Sequence, residues 1–489
     1  MAAPISWNGI PDIALILIYS SLPDQDRLNI ACTCKNWNRL FSSAKLWRHR
    51  RVVFNAKSSE ETAEREIKFL EKFGHCLYRL TLNLGRPTFK SCLTISRSVE
   101  KYLNRICSRN DIQIRDLDLE SLHMEQHWHF ILSRGRVVSA LSKMIRKQKF
   151  LECVYMAGTR MRLIDGCRIL EALAKGRTKN TVKTLYMEDF FETNMFPFRT
   201  QRYVNAMAKF LALEELHINY RYLSSEMLRN IANTLPKHLV NLSLVLEGDI
   251  RGIEIRSDAW MEFSEKCPLA TVGAYLCTTI LRGNDLRTAF VRGLPLNQIY
   301  LTSWARVDET EQRLSIFLRH LGNMYNITLE NFAMFFEHHE HIDYDLLFLL
   351  RKCRRIKDLC IQARLSADTV INIMKLQHQG KLALTSINLT IPGLSSDDWH
   401  RIDQEKERLL TNVVEYVHVG PNEFGSSIGG STITIDDEGQ ADDFQNGGDD
   451  ADILNFHNII DVNVEISDDE NDIFQPPDPG HEDDDEFLI

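Results

Sequence analysis

A recurring spacing of apolar residues runs through most of this 489-residue chain. In each copy, an apolar residue is followed by two free positions, a second apolar residue, one free position and a third apolar residue. Twelve copies lie between residues 75 and 419, with middle positions 26 to 37 residues apart. A period of this length indicates stacked structural repeats. The middle positions are Leu80, Leu117, Cys153, Leu185, Leu216, Leu242, Val272, Ile299, Ile327, Leu359, Ile387 and Val417.

Each copy predicts a short β-strand, because apolar residues two positions apart point to the same face of a strand. Helical patterns such as residues 137–145 and 204–211 lie between the copies, and their apolar faces would close the back of each repeat. The sequence therefore predicts an α/β fold, a leucine-rich-repeat solenoid (horseshoe) of about twelve divergent repeats over residues 75–419. The free strand positions would face a partner. A generic α/β domain with leucine-rich strands is the alternative.

The segment before the repeats is rich in apolar side chains. Pro11 and Pro23 stand where two helices would begin, a position at which a missing N–H costs little. Residues 13–19 are apolar on every side of a helix, unlike a surface helix with one buried stripe. A unit of about forty residues is too small to cover so much apolar surface alone. We therefore expect this segment to dock on the rest of the chain or on another protein.

This N-terminal segment resembles an F-box. Ile10-Pro11 stands where that motif has Leu-Pro, and the other characteristic positions follow in order. Ile13-Ala14 replaces the usual Glu-Ile, and Thr33 replaces the usual Val. A plain three-helix N-terminal cap is the alternative. The matching positions are Ile10, Pro11, Leu15, Ile18, Leu22, Pro23, Asp26, Leu28, Cys34, Lys35, Trp37, Leu46 and Trp47.

The resemblance implies a partner and a set of contact residues. An F-box docks on the adaptor subunit of an SCF-type cullin-RING ubiquitin ligase and through it on the cullin. F-box proteins with leucine-rich repeats are non-catalytic substrate receptors, so the repeat domain would hold a protein substrate that the sequence does not identify. The implied adaptor-binding residues are Ile10, Pro11, Leu15, Ile18, Leu22, Pro23, Leu28, Cys34, Lys35, Trp37 and Trp47.

Charge divides the chain into a basic body and an acidic tail. Residues 420–489 contain 21 Asp and Glu and no Lys or Arg, whereas residues 1–419 carry a net charge of +12. A segment of such charge with few aromatic residues cannot bury enough apolar surface to fold, so we expect a disordered tail. Ser467 in this tail is a candidate site for acidophilic kinases. The predicted order is therefore F-box 5–54, connecting helix 55–74, repeats 75–419 and tail 420–489.

Composition excludes several other classes of protein. No stretch of eighteen uncharged apolar residues appears, so we expect no membrane span. Eleven cysteines are scattered without a Cys-x-x-Cys pair, which is typical of reduced thiols in the cytoplasm or nucleus. No phosphate-binding loop or catalytic cysteine setting is present, so we expect no cofactor and no enzymatic activity. Basic runs lack interleaved aromatic residues, and we do not expect nucleic-acid binding.

Two alternatives to the receptor hypothesis remain open. A non-catalytic leucine-rich-repeat scaffold could bind basic partners through its acidic tail. A metal-dependent enzyme could use the histidine-rich run at residues 337–343, although its spacing is not His-Glu-x-x-His and a solvated polar loop is the simpler interpretation. The candidate ligands of that run are His338, His339 and His341.

Overall fold

The structure analysed is a computed structural model of the full chain. Gly420, the first residue of the predicted tail, ends the last strand, whereas residues 421–489 with Ser467 and the histidines of the metal hypothesis lie outside the residues that the structure describes. The described residues are 10–85, 87–120, 122, 124, 128, 131–248, 250–277, 286–303, 308–336, 342–410 and 416–420.

Within that part of the chain, short helices come first and strands then alternate with helices. The helices are α1 Asp12–Ser20, α2 Asp24–Ala31, α3 Lys35–Phe41, α4 Ser59–Phe73, α5 Cys92–Ser108, α6 Ile131–Lys147, α7 Leu163–Leu173, α8 Gln201–Met207, α9 Ser225–Thr234, α10 Ser257–Lys266, α11 Asp308–Met324, α12 Asp343–Lys352, α13 Ala367–His378 and α14 Ser396–Leu409. The strands are β1 His49–Val53, β2 Arg79–Asn83, β3 Asp116–Leu119, β4 Cys153–Tyr155, β5 Thr184–Met187, β6 Glu215–Asn219, β7 Asn241–Leu246, β8 Thr271–Leu276, β9 Leu296–Ser303, β10 Asn331–Phe336, β11 Asp358–Ala363, β12 Ser386–Thr390 and β13 Tyr416–Gly420.

The strands form one parallel sheet in which each strand pairs with its neighbours in the sequence, from β1 to β13. This order is the signature of a solenoid, because a doubly wound sheet would place strands from distant parts of the chain side by side. Leu80, Leu117, Val154 and Leu185 lie opposite one another in successive strands and are fully buried. The predicted fold class, an α/β repeat solenoid preceded by F-box-like helices, is confirmed.

The helices cover the side of the sheet on which these leucines point. In α5 the buried residues include Ile95, Val99 and Ile106, at the spacing of one helical face. Neighbouring helices pack side by side, α4 on α5, α5 on α6 and α6 on α7. One continuous hydrophobic core results, from Leu15 near the N-terminus to Val419 in the last strand.

The structure corrects the predicted register in three places. The third copy is centred on Val154 instead of Cys153, because Val154 pairs with Leu117 and Leu185. The copy centred on Ile327 is wrong, since that residue is exposed and β10 begins only at Asn331. A bulge between Val272 and Gly273 also pairs Val272 with Leu296, so Ile299 lies opposite Ala274.

The sheet also begins one strand earlier than the twelve copies predict. β1 lies inside the segment assigned to the F-box and pairs with β2 along its whole length. Arg50 occupies the core-facing position opposite Leu80. Because this residue is charged, it interrupts the apolar pattern, and the pattern does not predict β1. The N-terminal helices are therefore continuous with the sheet through β1.

Candidate docking site

Helix α1 buries one side and exposes the other. Leu15 and Tyr19 are fully buried, whereas Ile13 and Leu17 are 74% and 68% exposed. Residues four apart lie on the same face of a helix, so Ile13 and Leu17 form a small apolar patch. Ile10, immediately before α1, is partly exposed. In the module formed by α1–α3, the outer side of α1 thus presents an exposed apolar patch.

Hydrogen bonds inside the module hold α1 in place. The Tyr19 hydroxyl donates to the Trp37 carbonyl oxygen at 2.8 Å, and the two rings meet edge to face with centroids 5.4 Å apart. Burial raises the pKa of the Tyr19 hydroxyl, so it remains a donor at neutral pH. Arg27 Nε donates to the Tyr19 carbonyl at 2.8 Å and its Nη1 to the Leu46 carbonyl at 3.2 Å. These bonds satisfy polar groups that water would otherwise have to reach.

An aromatic cluster attaches the module to the first helix of the solenoid. Trp47 stacks on Phe73 of α4, with centroids 4.4 Å apart and rings 17° from parallel. Phe69 meets Trp47 edge to face at 5.8 Å, and Phe41 contacts Phe73 in the same way at 6.0 Å. Trp47 Nε1 donates to the Phe41 carbonyl at 2.7 Å. The inner face of the module is therefore already occupied by its own chain.

Arg50 supplies a second attachment, by charge. Its Nε and Nη2 donate to Glu66 of α4 at 2.6 Å and 2.8 Å, and its Nη1 donates to Asp24 of α2. The guanidinium carbon lies 4.2 Å from the centroid of the Phe69 ring. Burial alone would lower the pKa of Arg50, but the hydrogen bonds and charges of Glu66 and Asp24 raise it overall. One buried cation thus joins module and solenoid.

The predicted site residues occupy three kinds of position. Leu15, Trp37 and Trp47 are buried, so in this chain they support the module from inside. The partly buried members are Ile10, Ile18, Leu22, Leu28 and Cys34, and the exposed ones are Pro11, Pro23 and Lys35. Contact of any of them with an adaptor stays a prediction.

Sequence reasoning missed Ile13 and Leu17 as the exposed pair. A helix that is apolar on all sides carries no stripe that tells which side is buried. A four-residue spacing in α1 is the only signal, and it is shared by Leu15 and Tyr19 on the opposite face. Only the packing of α1 against Trp37 distinguishes the two pairs.

The sheet face opposite the helices forms a second surface. Tyr155, Tyr186 and His217 stack across β4, β5 and β6, with centroids 4.5 Å and 4.1 Å apart. The Arg79 guanidinium lies 5.2 Å from the Tyr155 ring and pairs with Asp118 at 3.2 Å. Side chains of neighbouring strands therefore contact one another across this part of the face.

Among the residues that the structure describes, no three His, Cys, Asp or Glu side chains come together as metal ligands. Likewise, no helix in the described ranges has the length and apolar character needed to cross a bilayer.

Together, the fold and these surfaces define a class of protein, a repeat solenoid with a three-helix N-terminal module joined to its first strand. Residues 7–52 match the family model described as F-box-like. The chain is similar to two curated proteins, both named F-box/LRR-repeat protein 21, from Ovis aries and Bos taurus. They are 20% identical to it over 304 and 336 residues respectively, and each match covers 61% of this chain.

The matches differ in how much of each protein they cover. The chain spans 65% of the length of each curated relative. Among solved structures, the crystal structure of the Rad7 and Elc1 complex in yeast contains a chain that is similar at a TM-score of 0.34 and 12% identity. That match covers 79% of this chain and 89% of the other. A TM-score this low supports no further conclusion.

Proposed function

We propose that this protein is the substrate-recognition subunit of an SCF-type cullin-RING ubiquitin ligase. The observation that carries the proposal is the uncovered apolar face of α1 on a module whose inner face is already anchored to α4. Leaving a large aliphatic side chain in water forgoes about 1.5–3 kcal/mol relative to burial. A partner that covers Ile13 and Leu17 recovers that free energy, and the F-box-like match at residues 7–52 supports the adaptor as this partner.

The adaptor contact would combine exposed and supporting residues. Ile10, Pro11, Ile18, Leu22, Pro23, Leu28, Cys34 and Lys35 are accessible in whole or in part and would join Ile13 and Leu17 at the interface. Leu15, Trp37 and Trp47 would act through the shape of the module. The adaptor would link the protein to the cullin.

The chain would bring its substrate close to the other ligase subunits and would not itself catalyse ubiquitin transfer. The stacked rings of Tyr155, Tyr186 and His217 lie on the sheet face that the helices leave free, and we assign this face to the substrate. A receptor that holds a target lysine near a charged conjugating enzyme raises the effective concentration of the reacting groups. The ubiquitin-transfer steps would take place in other subunits, in the cytoplasm or the nucleus.

A finer likeness accompanies this proposal. The segments Trp47-Arg48, 52–54, Phe73-Gly74, 188–191 and 205–210 resemble F-box only protein 39, in order along the chain, and a paralogue such as F-box only protein 33 is the alternative. In its specific form, the proposal is that this protein is a substrate receptor related to F-box only protein 39. The substrate is a protein that neither likeness identifies.

The test is binding of the full chain to purified SCF adaptor. We expect the double variant Ile13→Ser with Leu17→Ser to weaken binding at least about a hundredfold, because two aliphatic contacts of about 1.5 kcal/mol each are lost. The matched control is Leu269→Ser with Ile327→Ser, which removes two exposed aliphatic side chains far along the solenoid. The control should bind as the wild type does.

Two results would overturn the proposal. One is a wild-type chain that fails to bind adaptor at micromolar concentration. The other is equal binding by the α1 variant and the control. Trp37→Ala is a poor test, because Trp37 is buried and its loss would unfold the module whatever the partner.

A further inference from the structure

Three successive solenoid helices expose an aliphatic side chain at the same position. The second residue is Leu93 in α5, Leu132 in α6 and Ile164 in α7. Their exposed fractions are 41%, 84% and 71%. These helices pack side by side, so the three side chains form one row across the helical surface.

This row departs from what the first turn of a helix prefers. The partial positive charge of a helix N-terminus favours Asp or Glu there. Helices α4, α9, α10, α13 and α14 follow that preference at their second residue. The charged residues are Glu60, Glu226, Asp258, Asp368 and Asp397. An aliphatic residue at this position lacks that electrostatic stabilisation, and its side chain remains exposed to water. The stability of the individual helices therefore does not account for the row.

A row of arginines runs beside the aliphatic row. Four residues after each aliphatic residue, and hence on the same helix face, stand Arg97, Arg136 and Arg168. Arg136 pairs with Glu100 at 2.7 Å. Within the described part of the chain, no ion pair is formed by Arg97 or Arg168. The Leu/Ile-then-Arg pattern occurs in α5, α6 and α7 together and is not continued in α8.

The chain segment that carries the row contains an excess of basic residues. Residues 87–183 contain 19 Lys and Arg against nine Asp and Glu, so they supply most of the excess of positive charge in residues 1–419. Arg matches carboxylates with two parallel hydrogen bonds, which favours it where acidic side chains are recognised. An acidic partner therefore complements the surface, and the aliphatic row requires that this partner also carry apolar residues.

We propose that this face, defined by Leu93, Leu132 and Ile164 with Arg97, Arg136 and Arg168, docks an acidic amphipathic helix of a partner protein. Packed helices lie roughly 8–10 Å apart, and seven residues of a helix rise about 10.5 Å. A partner helix laid across α5, α6 and α7 with an aliphatic residue at every seventh position would place one on each member of the row. Carboxylates on its flank would reach the arginines.

Two other occupants have weaker support. Nucleic acid would bind through phosphate contacts and base stacking, which do not use three aliphatic side chains. An anionic bilayer surface would take apolar and basic side chains together, but interfacial anchors are rich in Trp and Phe and in Lys. Both are outcomes of the test below. The proposal is independent of the F-box and adds a second docking surface to the solenoid.

The test measures fluorescence anisotropy of a labelled acidic peptide helix against the full chain. The peptide carries leucine at every seventh position and glutamate beside each leucine. We expect binding that weakens as salt is added, because exposed ion pairs are screened. The variant Leu132→Ser with Ile164→Ser should weaken binding at least about tenfold, since two aliphatic contacts are lost. The control Leu269→Ser with Ile327→Ser should bind as the wild type does.

A second variant separates charge from apolar contact. Arg97→Gln with Arg168→Gln should weaken binding at low salt and flatten its salt dependence. The substituted residues are all exposed, namely Leu132, Ile164, Arg97 and Arg168. Both double variants should therefore keep the circular dichroism spectrum and the adaptor affinity of the wild type. The proposal is overturned if the wild type does not bind the peptide, or if both variants bind the peptide as tightly as the wild type does. It is also overturned if a duplex RNA or phosphatidylserine vesicles bind the face more tightly than the peptide.

Discussion

At the scale of single residues, the buried pair of Arg50 and Glu66 carries the largest predicted effect. Glu66 is only 1% exposed and accepts two hydrogen bonds from Arg50. Removal of one partner of a buried pair leaves the other charge uncompensated, at a cost of about 3–5 kcal/mol. We therefore expect Glu66→Gln to lower the free energy of unfolding by about 3 kcal/mol, measured from urea denaturation of the full chain.

The matched control for this prediction is Glu120→Gln. Glu120 pairs with Arg51, the next residue of β1, in an exposed ion pair of 2.8 Å. Exposed pairs contribute about 0–1 kcal/mol, so Glu120→Gln should hardly move the urea midpoint. Equal midpoints for the two variants would show that Arg50 and Glu66 do not anchor the module.

At the scale of elements, two glycines in neighbouring helices should respond in opposite directions to the same change. A Cβ on Gly166 of α7 would lie 2.4 Å from Phe191 Cε1, whereas a Cβ on Gly135 of α6 would meet nothing within 4 Å. Overpacking costs about 1–3 kcal/mol, while alanine in a helix gains up to about 1 kcal/mol over glycine. We expect Gly166→Ala to destabilise the protein and Gly135→Ala to stabilise it.

Thermal unfolding followed by circular dichroism measures both glycine variants. Their opposite signs make each the control for the other, since the chemical change is identical. A rise in Tm for Gly166→Ala would contradict the prediction, because it would mean that Phe191 moves aside without cost. The two helices would then be packed more loosely than their contacts indicate.

At the scale of the whole molecule, buried thiols predict a loss of stability in alkali. Burial raises the pKa of Cys360 to about 11 and that of Cys353 to about 12, from an ordinary value near 9. Above pH 9 the unfolded chain loses these protons while the folded chain keeps them. The stabilisation is complete below about pH 9 and falls by about 1.4 kcal/mol per thiol per pH unit as the pH approaches the folded value.

Urea denaturation of the wild type and of Cys360→Ala between pH 8.5 and about pH 11 measures this loss. The variant lacks one titrating thiol, so its free energy of unfolding should fall less steeply by about 1.4 kcal/mol per pH unit. Parallel slopes for the two proteins would contradict the assigned thiol environment. Cys360 is partly buried in β11, so its replacement by alanine removes less packing than replacement of the fully buried Cys353 would.

The spacing of apolar residues predicts the register of some strands correctly and of others incorrectly. The copies centred on Leu117 and Leu185 could be placed from spacing alone, because each strand alternates cleanly. Phe150, the first apolar residue of the third copy, and Ile327, the middle residue of the ninth, fit the spacing equally well, yet both are exposed just before their strands. A short apolar triplet specifies a strand but leaves its register ambiguous when a neighbouring triplet fits as well. Hydrogen bonding to the adjacent strand resolves that ambiguity.

The repeat period and the apolar excess determined the class of fold, because both are properties of local order along the chain. They also determined that the N-terminal helices need a covering surface. Only tertiary structure decided which side of α1 is covered, since Tyr19 of α1 packs against Trp37 of α3 and sequence spacing does not relate these two residues. The rows of aliphatic and arginine side chains on α5, α6 and α7 are likewise visible only once the helices lie side by side, because each row takes one residue from each repeat.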